Sequence, residues 1–174
     1  NIIQTDYWRM LSCIEIMQRI GEYGIPTQLR YDRVIEKDSV NYLVVARVRP
    51  IPIEWIVRYE AAGSIVRDFP GLVETGHKFK RAVLKFDYKQ DISVAGKDDP
   101  MLSESYIVDA FELLTFNQLK QGKRMLREIG EVVRICLKEK GIILQDMKME
   151  FGFDAEGRIT LIDEISQDCI RAYD

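Results

Sequence analysis

Asp146-Met147-Lys148-Met149-Glu150-Phe151-Gly152 is followed by a turn over residues 154–157 and by a second apolar run from Ile159 to Ile165. Charged and apolar side chains alternate strictly in the first segment, and this period of two is typical of a β-strand with one buried face. Gly157 supplies the left-handed residue that a tight turn needs. These segments predict an antiparallel hairpin at the heart of a sheet.

One face of the predicted hairpin carries Asp146, Lys148 and Glu150. Folding about the turn brings Asp163 opposite Glu150, to within about one residue of register. Two carboxylates beside a lysine suit a magnesium ion shared with nucleotide phosphates, because Mg²⁺ is usually held by one or two protein carboxylates plus phosphate and water oxygens. A solvated face, on which Lys148 merely screens its acidic neighbours, accounts for the same pattern equally well.

The N-terminal segment is predicted to be an amphipathic helix. Thr5 is a plausible cap, and the helix ends near Tyr23 because Gly24 and Pro26 follow. The apolar residues at helical spacing are Trp8, Leu11, Ile14 and Met17. This face either packs in the core or forms the surface of a homo-oligomer.

Short β-branched and aromatic runs predict strands at Tyr42–Val48, Ile53–Tyr59 and Ala82–Tyr88. Pro50 and Pro52 are expected to interrupt the ladder between the first two, because proline donates no backbone hydrogen bond.

Two helices are predicted before the hairpin. The first lies near Ser103–Leu113, and the second runs from a capping box at Thr115 and Gln118 to a stop at Gly141. The apolar stripe of the second helix comprises Met125, Ile129, Val132, Val133, Cys136 and Leu137. The predicted fold class is therefore α+β, an antiparallel sheet packed by helices, and the 174 residues suit a single compact domain.

Composition limits the possible partners. With 25 Lys and Arg against 28 Asp and Glu, the chain has a net charge of -3, which favours neither nucleic acid nor membrane binding, so any phosphate site must be local. No apolar run approaches the roughly 18 residues of a membrane span, and a cytoplasmic location is expected. Three scattered cysteines argue against disulfides or structural zinc, and the lone His77 argues against Ser/His or Cys/His nucleophilic catalysis.

Several motifs occur in an order and spacing that resemble the SAICAR synthetase family, the ATP-dependent ligases of purine biosynthesis. They are Gly24–Thr27, Pro52–Arg58 with Ala61–Ser64, Asp99-Pro100, Asp146–Gly152, and Asp163–Asp168 with Arg171. The resemblance implies a fold with an ATP-grasp-like or kinase-like nucleotide site. It also implies that ATP activates the carboxylate of a phosphoribosyl carboxyaminoimidazole, CAIR, and that the amine of L-aspartate displaces phosphate to give SAICAR.

The resemblance also implies roles for individual residues, with ATP and Mg²⁺ as cofactors. Glu150 and Asp163 correspond to the Mg²⁺ ligands, and Asp146 and Lys148 to catalytic residues that orient substrate and neutralise charge. The implied substrate-binding residues are Arg58, Ser64, Arg171, Asp168 and Asp99. The implied ATP-binding segment comprises Arg47, Val48, Arg49 and Ile51. Judged by residue type alone, the arginines equally suit surface ion pairs and Ser64 a plain turn.

The sequence departs from the family pattern at three places. The family's Gly-Lys-x-Lys strand, which covers the ATP phosphates, lies before the point corresponding to Asn1, and the family's C-terminal helices lie beyond Asp174. Gln167 replaces a customary proline. We therefore expect the central portion of such an enzyme, with residues 1–60 as a remnant of the nucleotide-binding part and 61–174 as the substrate and metal part.

Three functional hypotheses remain open from the sequence. In a streamlined ligase, Lys148, Arg47 and a partner subunit would share the neutralisation of phosphate charge. The alternatives are a nucleotide- or phosphoribosyl-binding homologue that has lost catalysis, and an ATP-using ligase or kinase-like homologue with a different acceptor.

Overall fold

The computed structural model of the chain describes residues 5–90 and 99–174. Its helices and strands are α1 (Thr5–Glu22), β1 (Ile35–Lys37), β2 (Val40–Tyr42), β3 (Arg49–Glu60), α2 (Ser64–Asp68), β4 (Lys78–Tyr88), α3 (Phe116–Glu139), β5 (Ile143–Phe153), β6 (Ile159–Ile162) and β7 (Ile170–Tyr173). A π-helical turn at Tyr106–Ala110 and a 3-10 turn at Gln167–Cys169 complete the regular structure of these residues. None of the helices in this part of the chain is long and apolar enough to cross a membrane.

Within these residues, a five-stranded antiparallel sheet runs in the order β4-β3-β5-β6, and β7 also pairs with β5. β1 and β2 form a separate small hairpin. The α+β prediction is confirmed.

The predicted hairpin is β5 and β6. Met147, Met149 and Phe151 are buried while Lys148 is exposed, so the predicted alternation is confirmed. Glu150 pairs with Ile162, which places Asp163 one residue from the predicted register. β6 stops at Ile162, short of the predicted end at Ile165, because Asp163 adopts a φ of 64° that no extended strand accommodates.

Helix α3 covers the apolar face of the sheet. Its predicted capping box is confirmed. The Thr115 side chain accepts a hydrogen bond from the backbone N–H of Gln118, and the Gln118 side chain accepts one from the backbone N–H of Thr115. Trp55 of β3 lies at the centre of the core, with its ring edge-on to Phe86 and Phe151 at 5.1 Å from each. Gly122 allows α3 to approach closely, because a Cβ there would lie 2.6 Å from the Trp55 ring.

The strand predicted at Tyr42–Val48 is wrong. β2 ends at Tyr42, and the following residues bond the segment near Gln28, with Ala46 N donating to Gln28 O at 2.7 Å and Arg30 N to Val44 O at 3.1 Å. This makes only an isolated bridge between Leu29 and Val45. The β-branched run has strand propensity, but it lacks a long partner strand.

The predicted interruption of the ladder at Pro50 and Pro52 is confirmed, because the register of β3 with β5 shifts between Pro50 and Glu54. The strand itself is not broken there, since β3 runs through both prolines. Pairing with β4 begins only at Ile53, so neither proline has to donate to that neighbour.

Two helical predictions need correction. The helix predicted at Ser103–Leu113 is shorter, since the π-helical turn is anchored by buried Ile107 and followed by Glu112 with a φ of 48°. Trp8 lies in α1 as predicted but is 58% exposed, whereas Met17 is 1% exposed. Nine residues at about 100° each place these two side chains on opposite sides of the helix. The described part of the helix begins at Thr5 itself, and Asn1 lies outside the described residues.

Candidate functional site

The polar face of the sheet lines a cavity of about 650 Å³ beside α2 and the chain near Asp99. Seven of the residues predicted for the site lie on its wall: Arg58, Ser64, Asp99, Asp146, Lys148, Asp168 and Arg171. Glu150, Asp163 and the segment from Arg47 to Ile51 lie outside this lining. The structure therefore collects the predicted substrate and catalytic residues into one cavity and places the predicted metal and nucleotide residues beyond it.

The inner end of the cavity is an ion-pair cluster centred on Asp146. Strand register sets Arg58 and Arg171 on either side of Asp146. Arg58 Nε donates to Asp146 Oδ2 at 3.0 Å, and Arg171 Nε lies 3.2 Å from Asp146 Oδ1. Arg58 also donates to Ser64 Oγ at 2.9 Å. Burial raises the pKa of Asp146, and the two guanidinium groups oppose that shift.

The turn at Gly63 allows Arg171 to enter this cluster. Gly63 has a φ of 63°, and a Cβ at this position would lie 2.7 Å from Cζ of Arg171 and closer still to Nη1. Only glycine combines that backbone conformation with that close approach.

Lys148 lies one step along the same face of β5. Its Nζ donates to Glu54 Oε1 at 2.8 Å, and this hydrogen bond raises the pKa of Lys148. About half of the Lys148 side chain is exposed. The lysine therefore carries a positive charge at neutral pH and faces the cavity.

Glu150 and Asp163 form a carboxylate pair further along β5. Burial raises the pKa of Glu150, an ion pair with Lys89 opposes that shift, and the neighbouring Asp163 adds to it. Asp163 is exposed, and its left-handed backbone is held by Gln28, whose Nε2 donates to Asp163 O at 3.2 Å. Aspartate tolerates this conformation better than most residues.

Two carboxylates suit Mg²⁺, which usually completes its shell with phosphate and water oxygens. Among residues 5–90 and 99–174, no group of three or more His, Cys, Asp or Glu is arranged to hold a metal ion. The donor set therefore fits a shared magnesium ion better than a fully protein-enclosed metal.

The predicted nucleotide segment flanks the start of β3. Arg47 and Arg49 are exposed, and the Arg49 guanidinium lies 4.9 Å from the centre of the Phe153 ring. Ile51 is buried. Gly152 lets this segment approach β5, because a Cβ there would lie 2.7 Å from Arg49 O.

Paired positions on β3 and β5 set these groups in a line. Arg49 pairs with Phe153, Glu54 with Glu150, Ile56 with Lys148 and Arg58 with Asp146. At about 3.3 Å per residue, the stretch from Phe153 to Asp146 spans roughly 23 Å. Arg49, Glu150, Lys148 and the Arg58–Asp146 pair thus follow one another along a single strand pair. Asp163 joins Glu150 from the end of β6, and Arg171 joins Asp146 from β7.

Asp168 and Asp99 border the cavity at two other sides. Asp168 lies on the 3-10 turn and forms an ion pair with Arg9 of α1, which also binds Glu164. Asp99 Oδ1 accepts a hydrogen bond from Gln90 N at 3.2 Å.

Five polar wall residues were missed by the sequence analysis: Glu54, Arg67, Asp68, Lys85 and Asp87. Lys85 and Asp87 lie two apart in a strand that was predicted, so the period of two could have placed both on one face. Whether that face points toward the cavity depends on how β4 pairs with β3, and a single sequence does not show this pairing.

A model of the family described as SAICAR synthetase matches residues 11–174. The chain belongs to the SAICAR synthetase family. The phosphoribosylaminoimidazole-succinocarboxamide synthase of Methanothermobacter thermautotrophicus is 37% identical over 168 residues, which are 97% of this chain and 63% of that protein. This chain therefore spans less than two thirds of the length of that SAICAR synthetase relative.

Solved SAICAR synthetases share the fold. The enzyme from Ehrlichia chaffeensis superposes with a TM-score of 0.84 at 30% identity, over 99% of this chain and 69% of that one. A SAICAR synthetase solved in complex with ADP gives a TM-score of 0.83 at 28% identity, over the whole of this chain and 69% of that one. The predicted SAICAR synthetase-like fold is confirmed.

Proposed function

We propose that the chain carries the ligase chemistry of its family: CAIR and L-aspartate are joined to SAICAR while ATP becomes ADP and phosphate. The observation that carries this proposal is the linear arrangement on β3 and β5, in which Arg49 of the nucleotide segment, Glu150 of the carboxylate pair, Lys148, and Arg58 with Asp146 succeed one another. The ADP bound to a solved member and the names of the relatives support it.

The arginine cluster is proposed to receive the phosphate of CAIR. Half of the Arg171 side chain is exposed, and a guanidinium offers a planar fork of donors to phosphate. Arg58 is 2% exposed and already bonds Asp146 and Ser64. We therefore assign Arg171 and Ser64 to direct contact and Arg58 and Asp146 to positioning of these groups.

Glu150 and Asp163 are proposed to hold Mg²⁺. The metal would neutralise charge on the nucleotide phosphates. Burial and the adjacent carboxylate raise the pKa of Glu150, while Lys89 opposes that shift, so a divalent cation would relieve the repulsion between the two carboxylates. The backbone from Arg47 to Ile51 is proposed to receive the adenine.

Lys148 is proposed to neutralise charge on the transferring phosphoryl group. It lies between the carboxylate pair and the arginine cluster, and its ammonium is held by Glu54. Asp99 and Asp168 also line the cavity, and they are proposed to contact the substrates.

The test is ADP release from a mixture of CAIR, L-aspartate, ATP and Mg²⁺. ADP should form only when all four are present, and Lys148→Met should lower kcat by about 100-fold, as expected for loss of an electrostatic catalytic group. Lys120→Met is the matched control, because Lys120 is exposed on α3, away from the cavity. Product formation without ATP, or equal effects of the two variants, would contradict the proposal.

The same assay separates the two alternatives. Calorimetric binding of ATP or CAIR without ADP release would favour a homologue that has lost catalysis. ADP release with another amine in place of L-aspartate would favour a different acceptor.

We further propose a cytoplasmic enzyme with small-molecule substrates and neither nucleic acid nor membrane partners. Residues 1–60 are assigned to the nucleotide-binding part and residues 61–174 to the substrate and metal part of one domain. If the enzyme is an active homo-oligomer, its specific activity should rise with protein concentration in the range where the subunits associate.

A further inference from the structure

Asp87 of β4 is a buried carboxylate on the wall of the cavity. The residue is 5% exposed, and its Oδ2 accepts a hydrogen bond from Lys85 Nζ at 2.7 Å. Its Oδ1 is buried and has no hydrogen-bond partner within residues 5–90 and 99–174. A buried acceptor without a donor is costly, so a donor that enters the cavity would be bound favourably at this atom.

The surrounding charges form two rows across the sheet. Strand pairing sets Asp87, Glu54 and Glu150 side by side on one face. In the next row on that face, Lys85 and Lys148 lie on either side of Ile56. The rows are on the order of 7 Å apart along the strands, and the lysine side chains can shorten that distance.

We propose that Asp87 and Lys85 form the subsite for the amino-acid substrate, with Asp87 accepting its ammonium group and Lys85, together with Lys148, binding its carboxylates. This inference rests on the proposed function for the identity of the amino acid. A dicarboxylic amino acid fits best, because it presents one ammonium group to the acidic row and two carboxylates to the two lysines.

Other ligands fit the two rows less well. A phosphate has no ammonium group to place at the acidic row, and the arginine cluster offers it a better place. A divalent metal fits Asp87 less well than a hydrogen-bond donor, because Asp87 offers it only Oδ1 while Oδ2 is already bonded to Lys85, and such an ion needs several oxygen ligands. Burial raises the pKa of Asp87 and Glu54 adds to that shift, so an added positive charge would relieve this carboxylate.

The subsite is tested with Asp87→Asn and Lys85→Met in the ligation assay. Asp87→Asn should raise the KM for L-aspartate by about 10-fold or more, as expected for loss of a charged hydrogen bond, and leave the KM values for CAIR and ATP within about 2-fold. Asp32→Asn and Lys120→Met are the matched controls, since both residues are exposed and lie outside the cavity lining.

Succinate, which has the carboxylates of aspartate but no ammonium, separates the two roles. Inhibition by succinate should be unchanged in Asp87→Asn and weakened in Lys85→Met. A change of less than about 2-fold in the aspartate KM of Asp87→Asn overturns the inference, and so does a parallel rise in all three KM values. Thermal melting of both variants identifies general unfolding, and the near-isosteric Asp87→Asn keeps the side-chain volume.

Calorimetric binding of L-aspartate and succinate distinguishes failure of the subsite from failure of the ligase. If the wild-type chain releases no ADP, weaker binding of aspartate but not of succinate to Asp87→Asn still supports the subsite. If the wild type ligates and Asp87→Asn has the wild-type KM for aspartate, the subsite fails while the ligase proposal stands. Absence of aspartate binding to the wild type also overturns the subsite.

Discussion

Gly63 controls the position of Arg171 through two separate requirements. Its φ of 63° disfavours any side chain, and the guanidinium of Arg171 occupies the place of a Cβ. We predict that Gly63→Ala lowers the free energy of unfolding by about 1–2 kcal/mol from backbone strain alone. Displacement of Arg171 should in addition raise the KM for CAIR by at least about 10-fold. Urea denaturation and steady-state kinetics measure the two effects.

Gly71→Ala separates strain from displacement. Gly71 has a φ of 83°, but a Cβ there would have no atom within 4 Å among the described residues. This variant should show a similar loss of stability with an unchanged KM for CAIR. Equal KM values in the two variants would mean that Arg171 does not depend on Gly63 for its position.

We predict that the Mg²⁺ concentration needed for ADP release depends on pH through Glu150. Its pKa is raised by burial and by Asp163, so at mildly acidic pH more of it is protonated than of an ordinary glutamate. A carboxylate must be ionised to bind metal. The Mg²⁺ concentration for half-maximal ADP release should therefore rise as the pH falls and Glu150 becomes protonated.

Glu150→Gln tests whether this residue is the source of the pH effect. The variant should need at least about 10-fold more Mg²⁺ at neutral pH, a loss of the size seen when a charged partner is removed. It should also lose most of the pH dependence. Glu128→Gln is the control, because Glu128 is an exposed residue of α3. A wild-type Mg²⁺ requirement that does not change between neutral and acidic pH would argue against the assignment.

At the scale of elements, the contact between α3 and β3 sets opposite expectations for two helical glycines. Alanine normally stabilises a helix interior by up to about 1 kcal/mol relative to glycine. At Gly122 the new Cβ would lie 2.6 Å from the Trp55 ring, whereas at Gly21 of α1 it would meet no described atom within 4 Å. We predict that Gly122→Ala destabilises the protein by about 1–3 kcal/mol, as overpacking does.

Gly21→Ala, in the last turn of α1, should instead stabilise by a few tenths of a kcal/mol. Chemical denaturation of both variants gives the comparison. If both substitutions stabilise, then Trp55 moves away from α3 at little cost, and the packing of the core is looser than the structure shows.

Elements with local signals were predictable from the sequence. The capping box at Thr115 and Gln118 and the alternation around Lys148 depend on neighbours in sequence, and both are present. Elements that depend on distant partners were not predictable. The run at Tyr42–Val48 has strand propensity, but its backbone bonds the segment near Gln28, and propensity does not specify a partner.

The candidate site also combines residues that local sequence signals could place with residues whose position depends on distant strand partners. Carboxylates and the lysine on β5 could be placed on one face from their spacing, and the family motifs pointed to Arg58, Ser64 and Arg171. Lys85 and Asp87 face the same cavity only because β4 pairs with β3 in a particular register. A shift of one residue would turn both side chains to the other face, so their role required the structure.

At the scale of the whole molecule, the sheet separates two tasks. One face packs against α3 through Trp55, Phe151 and Met147, and the other bears the charged residues of the cavity. Because β3 and β5 contribute to both faces, a ligand that bridges these strands also holds the core together. Ligand binding should therefore be visible as a change in global stability.

Ligands that bind only the folded chain raise its stability by RT ln(1 + [L]/Kd), which is about 2.7 kcal/mol at 100 times Kd. For a domain of this size we predict that CAIR at that concentration raises Tm by roughly 5–11 °C, as measured by thermal denaturation. Arg171→Ala should abolish most of this shift, because it removes the exposed guanidinium of the cluster. Arg127→Ala is the matched control, since Arg127 is exposed on α3 and outside the cavity lining. An equal shift in both variants would place the phosphate of CAIR away from Arg171, and the arginine cluster would then be structural.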